Sequence, residues 1–164
     1  MTDPALYQTF AQYNKVMNDA VYAVAAEIPD ADRKKDQRAF FKSVHGTLNH
    51  LCFGDYAWMR RFTCRDYVTA KPDEEIFADF DDMRAARREL DAQIIAWADG
   101  LDAPWLAEIV HWTATSYNRE RSQPRWLLVS HMFNHQTHHR GQLTTLLSPM
   151  EYDVGVTDLQ RILP

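Results

Sequence analysis

The chain has 164 residues, 46% of them hydrophobic and 25% charged, which suits a single folded domain over 1–164 and argues against disorder. Its formal net charge of -5 lacks the basic footprint of a nucleic-acid binder. Two cysteines make no disulfide framework at this length, no apolar run approaches the roughly 20 residues of a membrane span, and the opening MTDPALYQTF has no basic region ahead of an apolar one, so a cytoplasmic protein is expected.

The first helix opens at Asp3-Pro4, a capping residue followed by a proline suited to the first turn. Leu6, Phe10, Tyr13, Met17, Val21 and Val24 supply its apolar stripe, and Pro29-Asp30 ends it ahead of a charged connector over 30–36. The spacing of Phe40, Val44, Leu48, Leu51, Trp58 and Phe62 predicts a second helix from Arg38 to Phe62, interrupted on its apolar face by Asp55. A third runs from Phe77 to Ala98 with Phe80, Met83, Leu90, Ile94 and Trp97 inward and Gly100 as its C-terminal stop. On it Arg84, Arg87 and Arg88, set among Asp79, Asp81, Asp82 and Glu89, read as a solvated face of mixed charge.

Residues 104–124 break the helical pattern. Ile109-Val110, Trp112-Thr113 and Thr115 are β-branched or aromatic, which predicts an irregular excursion with two short extended pieces. A fourth long helix starts near Pro124, with Ser122 as a candidate cap, and ends before Pro149; the tail reads as a loop with one short turn. The expected fold is therefore all-α, a four-helix bundle with an excursion before the last helix, and the long third connection is compatible with an up-down-down-up order.

The fourth helix carries the chemistry. Within 131-HMFNHQTHHRGQL-143 lie four of the seven histidines. His135 and His139 are four residues apart, about 40° around a helix and one turn along it, so both imidazoles can converge on one ion. His131 extends that stripe by a turn, and His138 could replace His139 as the partner of His135. An open metal site wants three protein ligands and leaves a position for water. The third must come from elsewhere, with His45, His50 and His111 as candidates.

The string 131-HMFNHQTHHRGQLTTLL-147 resembles the signature helix of the DinB family of the DinB/YfiT-like superfamily. The earlier 47-TLNHLCFGDYAWMRRF-62 is similar to that family's second hallmark, a histidine followed by an acidic residue and a tryptophan, and 13-YNKVMN-18 and 155-GVTDLQRILP-164 look like its terminal pieces. The resemblance implies a four-helix bundle binding a divalent metal, zinc or nickel, through three histidines that match His50, His135 and His139. It also implies a homodimer, with water at the open coordination positions. The superfamily includes enzymes that transfer small thiols and others that isomerise or hydrolyse small molecules. Cys52 and Phe53 stand where the family usually carries aliphatic residues; Cys52, about 200° round the helix from His50, is expected to face away from the metal. Cys64 is read as an idle loop thiol.

The polar residues around the motif suggest further roles. Asn134, Arg140 and Gln142 are candidates to support the metal-bound imidazoles, which usually donate their second N–H to an acceptor. Asp55 is a candidate acceptor, an ion-pair partner for Arg140, or a general base; His131 is the other candidate base. Asn14 and Asn18 are placed to reach the bundle interior, and Gly141 in mid-helix suggests close approach of another helix. Two functions compete: a metal-dependent transferase or hydrolase acting on a small molecule, and a non-catalytic metal-binding stress protein in which ion and dimer are structural.

Overall fold

A computed structural model describes residues 3–67, 74–114 and 119–162. Four long helices carry the fold. Helix α1 covers Pro4–Glu27, with the Asp3 carboxylate accepting from Ala5 N–H at 3.0 Å, and it ends where Ile28 turns extended ahead of Pro29. A single turn, α2, follows at Asp30–Arg33. Helix α3 spans Val44–Thr63 and α4 spans Phe80–Asp99. Asp79 caps α4 by accepting from Asp81 and Asp82 N–H, and Asp81 and Asp82 themselves favour its positive end. After the short α5 (Ala103–Ala107), the hairpin β1 (Ile109–Ala114) and β2 (Arg119–Pro124) leads into α6 (Arg125–Leu147). A 3-10 turn at Ser148–Met150 and the short α7 (Leu159–Ile162) close the chain. Among the described residues no helix is long and apolar enough to cross a membrane.

The predicted excursion is this hairpin, Ile109 pairing with Pro124 and His111 with Ser122; Thr115, also read as extended, lies outside the described residues. Ser122 does not cap α6. Its hydroxyl bonds His111 Nδ1 at 2.7 Å, and α6 starts from Pro124 with no side-chain cap. The second helix also starts six residues later than its apolar spacing predicts. Residues 38–43 instead form a tight turn, bridged between Ala39 and Lys42, with Arg38 and Lys42 at positive φ, and Ser43 then caps α3 by accepting from Gly46 N–H. Phe40, expected on the inward stripe, is 86% exposed in that turn.

Side-chain pairings give the helix directions. Tyr7 meets Ser130 and Asn14 meets Arg140, so α1 and α6 run parallel. Tyr22 stacks on Phe80 and Asn18 bonds Asp91, so α1 and α4 are antiparallel. Asp55 pairs with Arg87 and Phe62 stacks on Trp97, so α3 and α4 are parallel. His50 meets His135 while Trp58 meets His131, so α3 and α6 are antiparallel. The order is up-down-down-up. Parallel neighbours require the connection between them to return along the bundle, so the crossover falls between α3 and α4 and not at the excursion.

The core is in two apolar parts. One gathers Val21, Ile28, Leu48, Leu51, Met83, Leu143 and their neighbours; the other gathers Tyr7, Met59, Leu90, Ile94, Met132 and Phe133. Between them, one side chain or two from each long helix, lies a buried polar layer of Asn14, Asn18, Asp55, Arg87, Asp91, Gln136 and Arg140. Arg87, expected on a solvated face, is 2% exposed at the centre of this layer. Its Nη1 donates to Asp55 Oδ2 at 2.7 Å, and its Nη2 lies 2.8 Å from Asp91 Oδ1, close enough for an ion pair although the angle is poor for a hydrogen bond. Burial alone would lower the Arg87 pKa; Asp91 and Asp55 more than reverse that and hold the guanidinium charged. The buried stripe of α1 is accordingly rotated from the apolar one: Tyr7, Ala11, Asn14 and Asn18 face inward, and Leu6 is 45% exposed.

Candidate metal centre

His50 on α3 and His135 and His139 on α6 come together at the α3–α6 seam, with one ring nitrogen from each all within 4.8 Å of one another. His135 Nε2 lies 3.1 Å from His50 Nε2 and 3.0 Å from His139 Nε2. The antiparallel crossing of α3 and α6 makes this possible, because it sets one histidine opposite an i,i+4 pair.

Each ring is held by something specific. His139 Nδ1–H donates to Gln142 Oε1 at 2.7 Å, which fixes the proton on Nδ1 and leaves the Nε2 lone pair facing the other two rings. Gln142 Nε2 in turn donates to His138 Nε2 at 3.3 Å. Phe41 stacks on His50, centroids 3.8 Å apart and planes 17° from parallel, so the tight turn ahead of α3 braces that imidazole. His135 packs onto Gly54, one turn past His50: a Cβ at position 54 would stand 2.7 Å from His135 Cε1. His135 Nδ1 is buried without a hydrogen-bond partner among the described residues.

Burial, then the neighbouring imidazoles of His139 and His50, push His135 down to about 3. Burial also lowers His139, with the Gln142 hydrogen bond acting against it. Both rings are therefore neutral at pH 7 and present lone pairs. Nitrogens about 2.0–2.1 Å from a zinc ion at tetrahedral angles stand roughly 3.3 Å apart; two of the separations, 3.0 and 3.1 Å, are close to that, and the third is within 4.8 Å. A neutral imidazole has one N–H, which satisfies three converging Nε2 atoms poorly; a cation satisfies all three at once. The residues fit a divalent metal.

A consequence for stability follows from the low His135 value. In chelator-treated protein the unfolded chain takes up this proton near pH 6.5, the folded chain only near pH 3. The unfolded state binds more protons in that window, so stability falls as pH drops from 6.5 toward 3. Urea midpoints measured across this range should fall more steeply for the wild type than for His135→Asn.

The other residues singled out from the sequence take varied places. His131 is exposed, its ring edge-on to Trp58 and 6.2 Å by centroid from His135, so it flanks the group. Asp55 is fully buried and held by Arg87, not by Arg140 or an imidazole. Asn134 is exposed on the far side of α6, and Arg140 is buried there against Asn14, so neither touches the three rings. Burial pulls Arg140 down to about 10, which leaves it cationic at neutral pH. His45 is buried apart from the group, its Nε2 2.9 Å from Phe77 O, and His111 sits in the hairpin. Cys52 is buried against the Tyr22 hydroxyl at 3.3 Å, facing away from the three histidines, and Cys64 is exposed as the left-handed cap of α3. Gly141 has open space around it and no helix approaches; the close contact is at Gly54, whose signal was a mid-helix glycine one turn from His50.

A four-helix bundle with three histidines converging from its second and fourth long helices defines a class of candidate metal-binding proteins. Within that class, the family model of the DinB family matches residues 1–163, essentially the whole chain. This protein belongs to the DinB family. A comparison with curated proteins finds no match.

Proposed function

We propose that this protein holds a divalent metal ion, zinc or nickel, on His50, His135 and His139 and uses it to act on a small molecule, by thiol transfer or hydrolysis. The observation that carries the reading is the convergence of three imidazole nitrogens beside a cleft of about 540 Å³ that has His50 and Phe41 in its wall. Bound there, such an ion supplies Lewis acidity, lowering the pKa of a water or thiol to near neutrality.

The chain's own residues do the rest. Gln142 fixes the His139 tautomer, Phe41 orients His50, and Gly54 makes room for His135. Lys34, Lys42, Glu74 and Glu75 line the cleft, so its wall carries charges of both signs. His131, exposed beside His135, is positioned to take a proton, whereas Asp55, walled in with Arg87, is not. Three donors among the described residues favour an open coordination sphere over a closed structural one. A cytoplasmic homodimer belongs to the same reading, and the net charge of -5 argues against a nucleic-acid partner.

Elemental analysis tests the site. His135→Ala should abolish stoichiometric metal and His138→Ala should leave it; equal loss in both overturns the ligand assignment. A transfer screen with several small thiols, with and without chelator, tests the chemistry. Activity indifferent to chelation would exclude the metal-dependent mechanism.

A further inference from the structure

A cleft of about 230 Å³ lies between α1 and α6, about half a turn round α6 from the histidine group. Phe10, Tyr13 and Phe133 form apolar walls, and Thr157 and Leu159 of the tail line it too, with the Tyr13 hydroxyl donating to Thr157 O at 2.6 Å. Arg140 lines it as well.

Arg140 is 5% exposed, and among the described residues its guanidinium has only neutral hydrogen-bond partners. Nη1 donates to Asn14 Oδ1 and, at 3.4 Å each, to Asn18 Oδ1 and Gln136 Oε1. Nη2 reaches only Thr137 Oγ1, at 3.5 Å, and Nε has no partner among the described residues. The carboxylates of the polar layer, Asp55 and Asp91, each pair one oxygen with Arg87 and act on Arg140 only from beyond ion-pair distance. Burying a cation without a carboxylate partner is costly, and the cost falls when an anion supplies one.

The same contacts show which donors are left. Asn14, which receives Nη1, and Thr137, which meets Nη2, both line the cleft, whereas Asn18 and Gln136 do not. With Nη1 taken by three amide oxygens, the donors left for a ligand are those of the Nε–Nη2 edge, the fork a carboxylate engages with two parallel hydrogen bonds. The Tyr13 ring, 5.6 Å from the guanidinium carbon, continues this edge into an aromatic wall. A cleft of about 230 Å³ is smaller than the roughly 300–1,000 Å³ of drug-sized pockets and selects a small ligand.

We propose that this cleft binds a small aromatic monocarboxylate, its carboxylate paired with Nε and Nη2 of Arg140 and its ring against Phe10, Tyr13 and Phe133. Benzoate is the probe, titrated by calorimetry into chelator-treated full-length protein, with neutral benzamide as control. Benzoate should bind saturably at millimolar concentration or below, and benzamide about tenfold more weakly or worse. Arg140→Gln should cost about tenfold or more. Asn134→Trp, from an exposed position lining the cleft, should obstruct it with an unchanged melting temperature, and it decides the question if Arg140→Gln fails to fold. His135→Ala should bind benzoate like the wild type. No saturable binding, binding that survives Asn134→Trp, or binding lost in His135→Ala overturns the proposal.

Discussion

Arg87→Met is expected to lower the free energy of unfolding by about 3–5 kcal/mol. The reason is not the loss of one contact. Asp55 and Asp91, 0% and 2% exposed, would both be left in a water-excluded layer with no cation beside them. Asn18 Nδ2 donates to Asp91 at 2.9 Å but cannot neutralise it. Arg88→Met, one residue along on an exposed face, should change stability by less than about 0.5 kcal/mol, so the pair separates burial from charge. The penalty should also depend on pH. Burial already raises the Asp91 pKa in the native protein, and without Arg87 that carboxyl rises further. A carboxyl whose folded pKa lies above its unfolded value contributes stability at low pH that is lost as pH rises through the folded value. Urea unfolding of Arg87→Met at pH 5 and pH 8 should therefore show a larger deficit at pH 8. Neutralising the acids as well, in Arg87→Met with Asp55→Asn and Asp91→Asn, should recover much of the loss, because an uncharged layer no longer strands a charge.

The same layer explains what could and could not be read from the residues. Caps and periodicity are local, so Asp3-Pro4, the stop at Gly100 and the four long helices were legible. The inward face of α1 was legible in part: Asn14 and Asn18 were placed toward the interior and are buried there with hydrogen bonds to Arg140 and Asp91, whereas counting apolar residues follows Leu6, Phe10 and Tyr13, which are not fully buried. Arg87 among acidic neighbours looks solvated by the same logic; its burial is decided by Asp55, which arrives from another helix. The His135–His139 pair was legible because four residues make one turn. Choosing His50 over His45 and His111 was not, since it depends on which helix α6 crosses; the resemblance to a family supplied that choice and the α3–α6 seam accounts for it. Phe41 and Gly54 escaped notice for a related reason. Their contacts with His50 and His135 exist only once a tight turn precedes α3 and the two helices cross.

Gly54→Ala should separate the site from the fold. A Cβ there would meet His135 Cε1 at 2.7 Å and Nδ1 at 3.1 Å, the first closer than carbon atoms tolerate. What must give is an imidazole on two rotatable bonds, not backbone, so the fold can absorb the change by swinging the ring away. Alanine in a helix interior is favoured over glycine by about 1 kcal/mol, which offsets the lost packing. The melting temperature of chelator-treated Gly54→Ala should thus equal or exceed that of the wild type. Metal affinity should fall by about two orders of magnitude or more, because His135 supplies the nitrogen that lies within 3.1 Å of both other rings and a displacement of about 1 Å at such a point is costly. Competition titration against a chromophoric chelator measures this directly, with His138→Ala as the control that keeps wild-type affinity. Retained affinity in Gly54→Ala would mean that His135 does not need its present position, and that the contact with Gly54 is packing alone.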